Sequence, residues 1–203
     1  MAPSRSEFIE RSAADVLRRA NVTSAPVDLN KVAEALGAKV SEETWEDKVS
    51  GVLLVKGDVK HIMLNSSHTL NRKRFSFAHE LGHLVLHASK AEDRLFVDTQ
   101  IRVYRRVGAP SDVDYQEPGS MTTPDEEREA NLFAATLLMP AALLEHAAFR
   151  RNLFDEWDVT ALAEAFGVSE QAMFIRLQSL RLLDPISSSS DALSDEPMPA
   201  VRA

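Results

Sequence analysis

The chain of 203 residues contains no cysteine. Disulfide frameworks, thiolate zinc fingers and cysteine nucleophiles are thereby excluded, and any bound metal must take its ligands from histidine and carboxylates. Positive charge is in deficit: 23 Lys and Arg stand against 31 Asp and Glu, a formal net charge of -8. That balance gives weak non-specific attraction to phosphate backbones and disfavours direct nucleic-acid binding as a primary role. No run has the uninterrupted apolar length that a bilayer crossing needs. Residues 1–10, with Arg5, Glu7 and Glu10, carry no apolar core of signal-peptide length. The expectation is a cytoplasmic protein with no membrane partner. No internal repeat is visible. What is present is an ordinary globular balance, 44% hydrophobic and 27% charged, sufficient for one sizeable core.

Apolar residues at helical spacing (Phe8, Ile9, Ala13, Val16, Leu17, Ala20) predict an amphipathic helix over 6–20. Asp28 is placed to cap a second helix, with Leu29, Val32, Ala33 and Leu36 as its stripe and Gly37 as its end. Residues 51–55 and 61–64 read as strands around Gly57-Asp58. The run Ile62 to Asn65 is either a core strand or an open edge for an extended substrate. Asn71 to His87 reads as one long helix. Beyond it lie β-like residues at 95–97 and 101–104 and a Gly/Pro/Ser/Asp loop at 108–120. Thr123-Pro124-Asp125-Glu126 is a capping box with proline at the first helical position, opening a helix to about Met139. Runs 159–166 and 169–183, joined by Gly167-Val168, read as a helix-turn-helix-like pair.

The segment His79-Glu80-Leu81-Gly82-His83 carries the chemistry. Residues four apart share a helix face, so both imidazoles can aim at one divalent ion, with Glu80 alongside as general base. The motif sits in an apolar helix, where such a polar cluster is costly without a ligand. A catalytic zinc takes three protein ligands. Candidates for the third are His61, His68, His87, His146 or a later carboxylate. A straight helix does not easily bring three successive turns onto one ion, and Gly82 lies between the histidines, not after them as in metzincins, so His87 reads as a supporting polar residue. Among the acids at 126, 127 and 129, Glu126 is committed to the capping box and Glu129 points elsewhere. Glu127 shares a face with the small residues Ala130 and Ala134 and is the expected ligand. Asn131, one turn on, can accept a hydrogen bond from a ligand imidazole and fix its tautomer. Tyr104, Tyr115, His61 and His146 remain open as donors to a developing oxyanion.

The blocks Arg74-Phe75-Ser76-Phe77-Ala78-His79-Glu80-Leu81-Gly82-His83-Leu84 and Glu127-Arg128-Glu129-Ala130-Asn131-Leu132-Phe133-Ala134-Ala135, then Leu137-Leu138-Met139-Pro140, with Ile62-Met63-Leu64-Asn65 before them, resemble the ImmA/IrrE family of metallopeptidases. The resemblance spans roughly residues 30–140. It implies a gluzincin-like zinc endopeptidase with one Zn2+ per chain, His79, His83 and Glu127 as ligands, and Glu80 as the base. It further implies a cytoplasmic helix-turn-helix repressor as protein substrate, cleaved to release stress or mobile-element genes. Manganese is a possible substitute, since two histidines and a carboxylate discriminate weakly. The expected class is α+β: a mainly helical zincin-like metallopeptidase domain with a small β-sheet (1–150), a C-terminal helix-turn-helix-like helical pair (151–184) and a disordered tail (185–203). The alternative is a helix-turn-helix-containing regulatory or partner-binding protein without proteolytic activity. Its recognition segment, however, has Arg176 as its one basic residue and Glu170 at its start.

Overall fold

Alternating burial organises the sheet. In a computed structural model, which describes residues 3–88, 94–98 and 122–183, the order is α1 (Arg5–Arg19), α2 (Leu29–Ala35), β1 (Lys39–Glu43), β2 (Gly51–Lys56), β3 (Val59–Asn65), α3 (Leu70–Leu86), β4 (Arg94–Asp98), α4 (Pro124–Leu138), α5 (Ala141–Ala148), α6 (Glu156–Phe166) and α7 (Glu170–Ser179). Tyr104, Tyr115, the run 101–104, the loop 108–120 and the tail 185–203 lie outside the described residues.

The described residues form an α+β fold around a four-stranded mixed sheet of order β1-β3-β2-β4. β2 and β3 are the antiparallel pair read from the sequence, with Leu53 opposite Ile62 and Gly51 opposite Leu64. Leu53 is also opposite Phe96 of β4. Because side chains alternate across a strand, Gly51, Leu53, Val55, Ile62, Leu64 and Phe96 are all buried on one covered face.

Of the two readings of Ile62 to Asn65, the core strand holds. β3 pairs with β2 on one side and, in parallel, with β1 on the other, so Ile62 to Asn65 is interior strand and offers no open edge. The unanticipated strand is β1, whose sequence Lys-Val-Ser-Glu-Glu is largely exposed; its polar composition hides the pairing, which backbone groups supply.

Helix boundaries follow their caps. Ser4 and Thr123 complete reciprocal capping boxes with Glu7 and Glu126, and Asp28 and Ser169 cap α2 and α7 through side-chain oxygens. Gly37 (φ 69°) and Gly167 (φ 64°) end α2 and α6 in the left-handed region that glycine enters without strain. α7 stops at Ser179, short of the expected 183.

The buried apolar residues of α6 and α7, including Leu162, Phe166, Met173 and Leu177, belong to the same core as those of α1, α3 and α4. Polar ties reinforce that contact: Asn71 Nδ2 donates to the Val168 carbonyl, Arg74 donates to the Gly167 and Val27 carbonyls, and Arg176 Nε donates to the Met139 carbonyl. Among the described residues no single helix is long and apolar enough to cross a membrane.

Candidate metal centre

α3 and α4 meet where both have lost bulk. A Cβ on Gly82 would lie 3.1 Å from both the Cα and the carbonyl oxygen of Ala130 and 3.3 Å from Phe133 Cβ. Glycine here therefore permits an approach that any larger residue would resist. That approach carries Glu127, at the start of α4, over the two histidines at the middle of α3.

The resulting geometry is tight. His79 Nε2 and His83 Nε2 are 3.0 Å apart; Glu127 Oε2 is 3.1 Å from the first and Glu127 Oε1 3.3 Å from the second. Among the described residues this is the one group of three possible metal ligands whose donor atoms all lie within 4.8 Å of one another. His79, Glu80 and His83 are buried, whereas the Glu127 side chain is 35% exposed, so among the described residues the cluster meets water on the Glu127 side.

The outer hydrogen bonds decide which ring nitrogens carry protons. His79 Nδ1 faces Asn131 Oδ1 at 3.1 Å; an amide oxygen only accepts, so Nδ1 is the donor and Nε2 bears a lone pair. His87 Nε2 donates to Glu129 Oε2 at 2.9 Å, leaving His87 Nδ1 as acceptor for His83 Nδ1 at 3.1 Å. His83 Nε2 is then also a lone pair. Two lone pairs and a carboxylate thus converge with no proton between them, an arrangement that repels itself unless a cation is shared. Two metal–nitrogen bonds of about 2.0–2.1 Å at a tetrahedral angle would separate the nitrogens by about 3.3 Å, close to the separation present. The residues fit a divalent ion such as zinc.

Electrostatics point the same way. Burial pushes His83 from the ordinary 6.5 down to about 4, opposed by the Glu127 hydrogen bond and reinforced by His79 and His87. For Glu127, burial acts upward, but the His79 and His83 ring nitrogens, which donate to and attract the carboxylate whenever either ring is protonated there, outweigh it and hold the carboxyl well below the ordinary carboxylate range. At neutral pH His83 is therefore an uncharged imidazole and Glu127 a carboxylate, the forms that bind metal.

Glu80, next along α3, is fully buried. Its carboxylate lies against the start of β2: a Cβ on Gly51 would be 2.8 Å from Glu80 Oε1. The loop ahead of Gly51 is held by Asn65, whose Nδ2 donates to the Trp45, Glu46 and Val49 carbonyls while Oδ1 accepts from Ser67. From β4, Phe96 stacks on the His83 ring at 4.8 Å between centroids and 26° between planes.

The other histidines are engaged away from the cluster. His61 contacts Ser41 Oγ, buried His68 contacts Asp47, and His146 is exposed. Glu129 does not join the cluster, as read from the sequence, but holds His87. Sequence reasoning missed Gly51, Phe96 and Arg5, the last of which pairs with Glu129. None has a local signal, since each acts through a contact distant in sequence.

A peptidase family model, described as the IrrE N-terminal-like domain, matches residues 33–109 and 113–178, most of the chain. A comparison with curated proteins gave no match.

Proposed function

Because the chain belongs to the peptidase family of the IrrE N-terminal-like domain, we propose that it is a zinc-dependent endopeptidase that cleaves a helix-turn-helix transcriptional repressor, derepressing stress or mobile-element genes. One observation carries the metal part: the convergence of His79 Nε2, His83 Nε2 and the Glu127 carboxylate at 3.0–3.3 Å. The substrate part is supported by the resemblance of the two sequence blocks to the ImmA/IrrE metallopeptidases.

His79, His83 and Glu127 would hold one zinc, which when bound supplies Lewis-acid polarisation of the scissile carbonyl and activation of water. Glu80, buried beside the ligands, is the proton acceptor for the attacking water and returns that proton to the leaving amine. Asn131 fixes the His79 ring through Nδ1. The substrate backbone is assigned to β4. Among the described residues β4 pairs with β2 alone, and its Phe96 lies against His83. An extended chain added to the outer edge would run beside the ligands. The protein acts in the cytoplasm without binding nucleic acid itself.

The test is co-expression with the helix-turn-helix regulators encoded beside its gene. Cleavage is expected with the native chain and should be at least about 10²-fold slower with Glu80→Gln. Undiminished cleavage by Glu80→Gln would remove Glu80 from its role, and a native chain that leaves every such regulator intact would remove the substrate class.

A further inference from the structure

His83 sits at the head of a hydrogen-bonded series that leaves the metal cluster and ends on the first helix. His83 Nδ1 donates to His87 Nδ1 (3.1 Å), His87 Nε2 donates to Glu129 Oε2 (2.9 Å), and Arg5 grips both Glu129 oxygens, Nε on Oε1 at 2.7 Å and Nη2 on Oε2 at 2.5 Å. Side-chain exposure rises along it, from 2% at His83 and 5% at His87 to 22% at Glu129 and 52% at Arg5. The inner links are shielded from water, where each hydrogen bond counts most. With the imidazoles uncharged every proton has one placement, and Glu129, being acceptor only, sets the direction of them all.

We propose that His87, Glu129 and Arg5 are positioning residues that lock His83 in its Nε2-ligating tautomer, so that α1 helps to retain the metal without touching it. This rests on the metal-centre reading above. The reach of α1 is particular to the geometry: the family match begins at residue 33, yet Ile9, Ala13, Val16 and Leu17 pack α1 into the core and set Arg5 over the first turns of α4. Without the series His83 can take the Nε2–H tautomer and present an N–H where a lone pair is needed.

The experiment measures the affinity of the full chain for Zn2+ by competition with a chromophoric chelator, and the visible spectrum of the Co2+ form. His87→Leu removes both contacts, His87→Gln can place its amide nitrogen toward Glu129 but carries its acceptor oxygen one bond beyond the Nδ1 position, and His87→Asn places an acceptor oxygen where Nδ1 stood. Affinity is expected to fall about 10- to 100-fold in His87→Leu and His87→Gln, the usual range for a ligand's hydrogen-bond partner, and to recover in His87→Asn. Glu129→Gln and Arg5→Gln, both on the wetter side, should weaken binding less and should add nothing once His87→Leu is present. Each variant is checked for native near-ultraviolet circular dichroism, and if His87→Leu does not fold, Glu129→Gln and Arg5→Gln decide.

Native-like affinity and Co2+ spectrum in the folded variants would overturn the inference while leaving the metal centre standing, as would losses that simply add. Failure of the native chain to bind one equivalent of Zn2+ would overturn both readings. Persistence of binding in Glu127→Ala would instead point to a different ligand set and likewise sink both.

Discussion

At the scale of single residues, the candidate site depends on atoms that are missing as much as on those present. Gly51 leaves room for the Glu80 carboxylate, and alanine would place a Cβ 2.8 Å from Glu80 Oε1. Gly51→Ala is expected to displace that carboxylate and cut proteolysis by about 10²-fold, the usual cost of ångström-scale misplacement, with one equivalent of zinc retained. Parallel metal analysis and turnover measurements check this; loss of metal instead would mean that Gly51 supports the ligands. His83 gives a pH prediction. Its ordinary value is 6.5 and its folded value about 4, so between these limits the unfolded chain binds more protons and stability rises with pH. The metal-free protein should be fully stabilised by this group above about pH 6.5 and lose up to about 3 kcal/mol as pH falls toward 4. Urea midpoints across that range, compared with His83→Leu, report the difference.

At the scale of elements, the contact between α3 and α4 decides whether Glu127 reaches the histidines. Gly82→Ala inserts a methyl 3.1 Å from Ala130 backbone atoms. Overpacking of this kind costs about 1–3 kcal/mol and should lift the start of α4 away from α3. Both the urea midpoint and the zinc affinity are expected to fall together; a drop in stability with unchanged affinity would separate the crossing from the site. The pair α6 and α7 also bears on function. Arg176, the one basic residue of the segment 169–176, is 3% exposed and donates to the Met139 carbonyl. It is committed to packing and cannot serve a phosphate. A gel-shift titration across operator DNA should therefore give no tight, salt-sensitive complex; such a complex would restore the regulator reading.

At the scale of the whole molecule, the ligands bridge two helices distant in sequence, so a bound ion cross-links the native state and nothing equivalent exists in the unfolded chain. Zinc at about 100 times its dissociation constant should stabilise the fold by about 2.7 kcal/mol, seen as a rise in Tm that chelator reverses. Glu127→Ala should abolish that rise; an equal rise in the variant would dissociate the stabilisation from this site.

Much of this architecture was legible locally. The capping box at Thr123, the caps at Asp28 and Ser169, the β2–β3 pair and the motif on α3 follow from short-range rules, because propensity, periodicity and turn chemistry act within a few residues. The strand β1, with its polar sequence, and the interior position of β3 were not, since pairing partners are chosen by the sheet and not by the strand. The same division holds at the site. By itself the amino-acid order placed His79 and His83 one turn apart on one helix with Glu80 beside them, and marked Glu127 as an acid on a small-residue face. Only the tertiary structure put Gly51 under Glu80, Phe96 on His83 and Arg5 on Glu129, because those contacts join separate elements whose meeting depends on how the whole core packs.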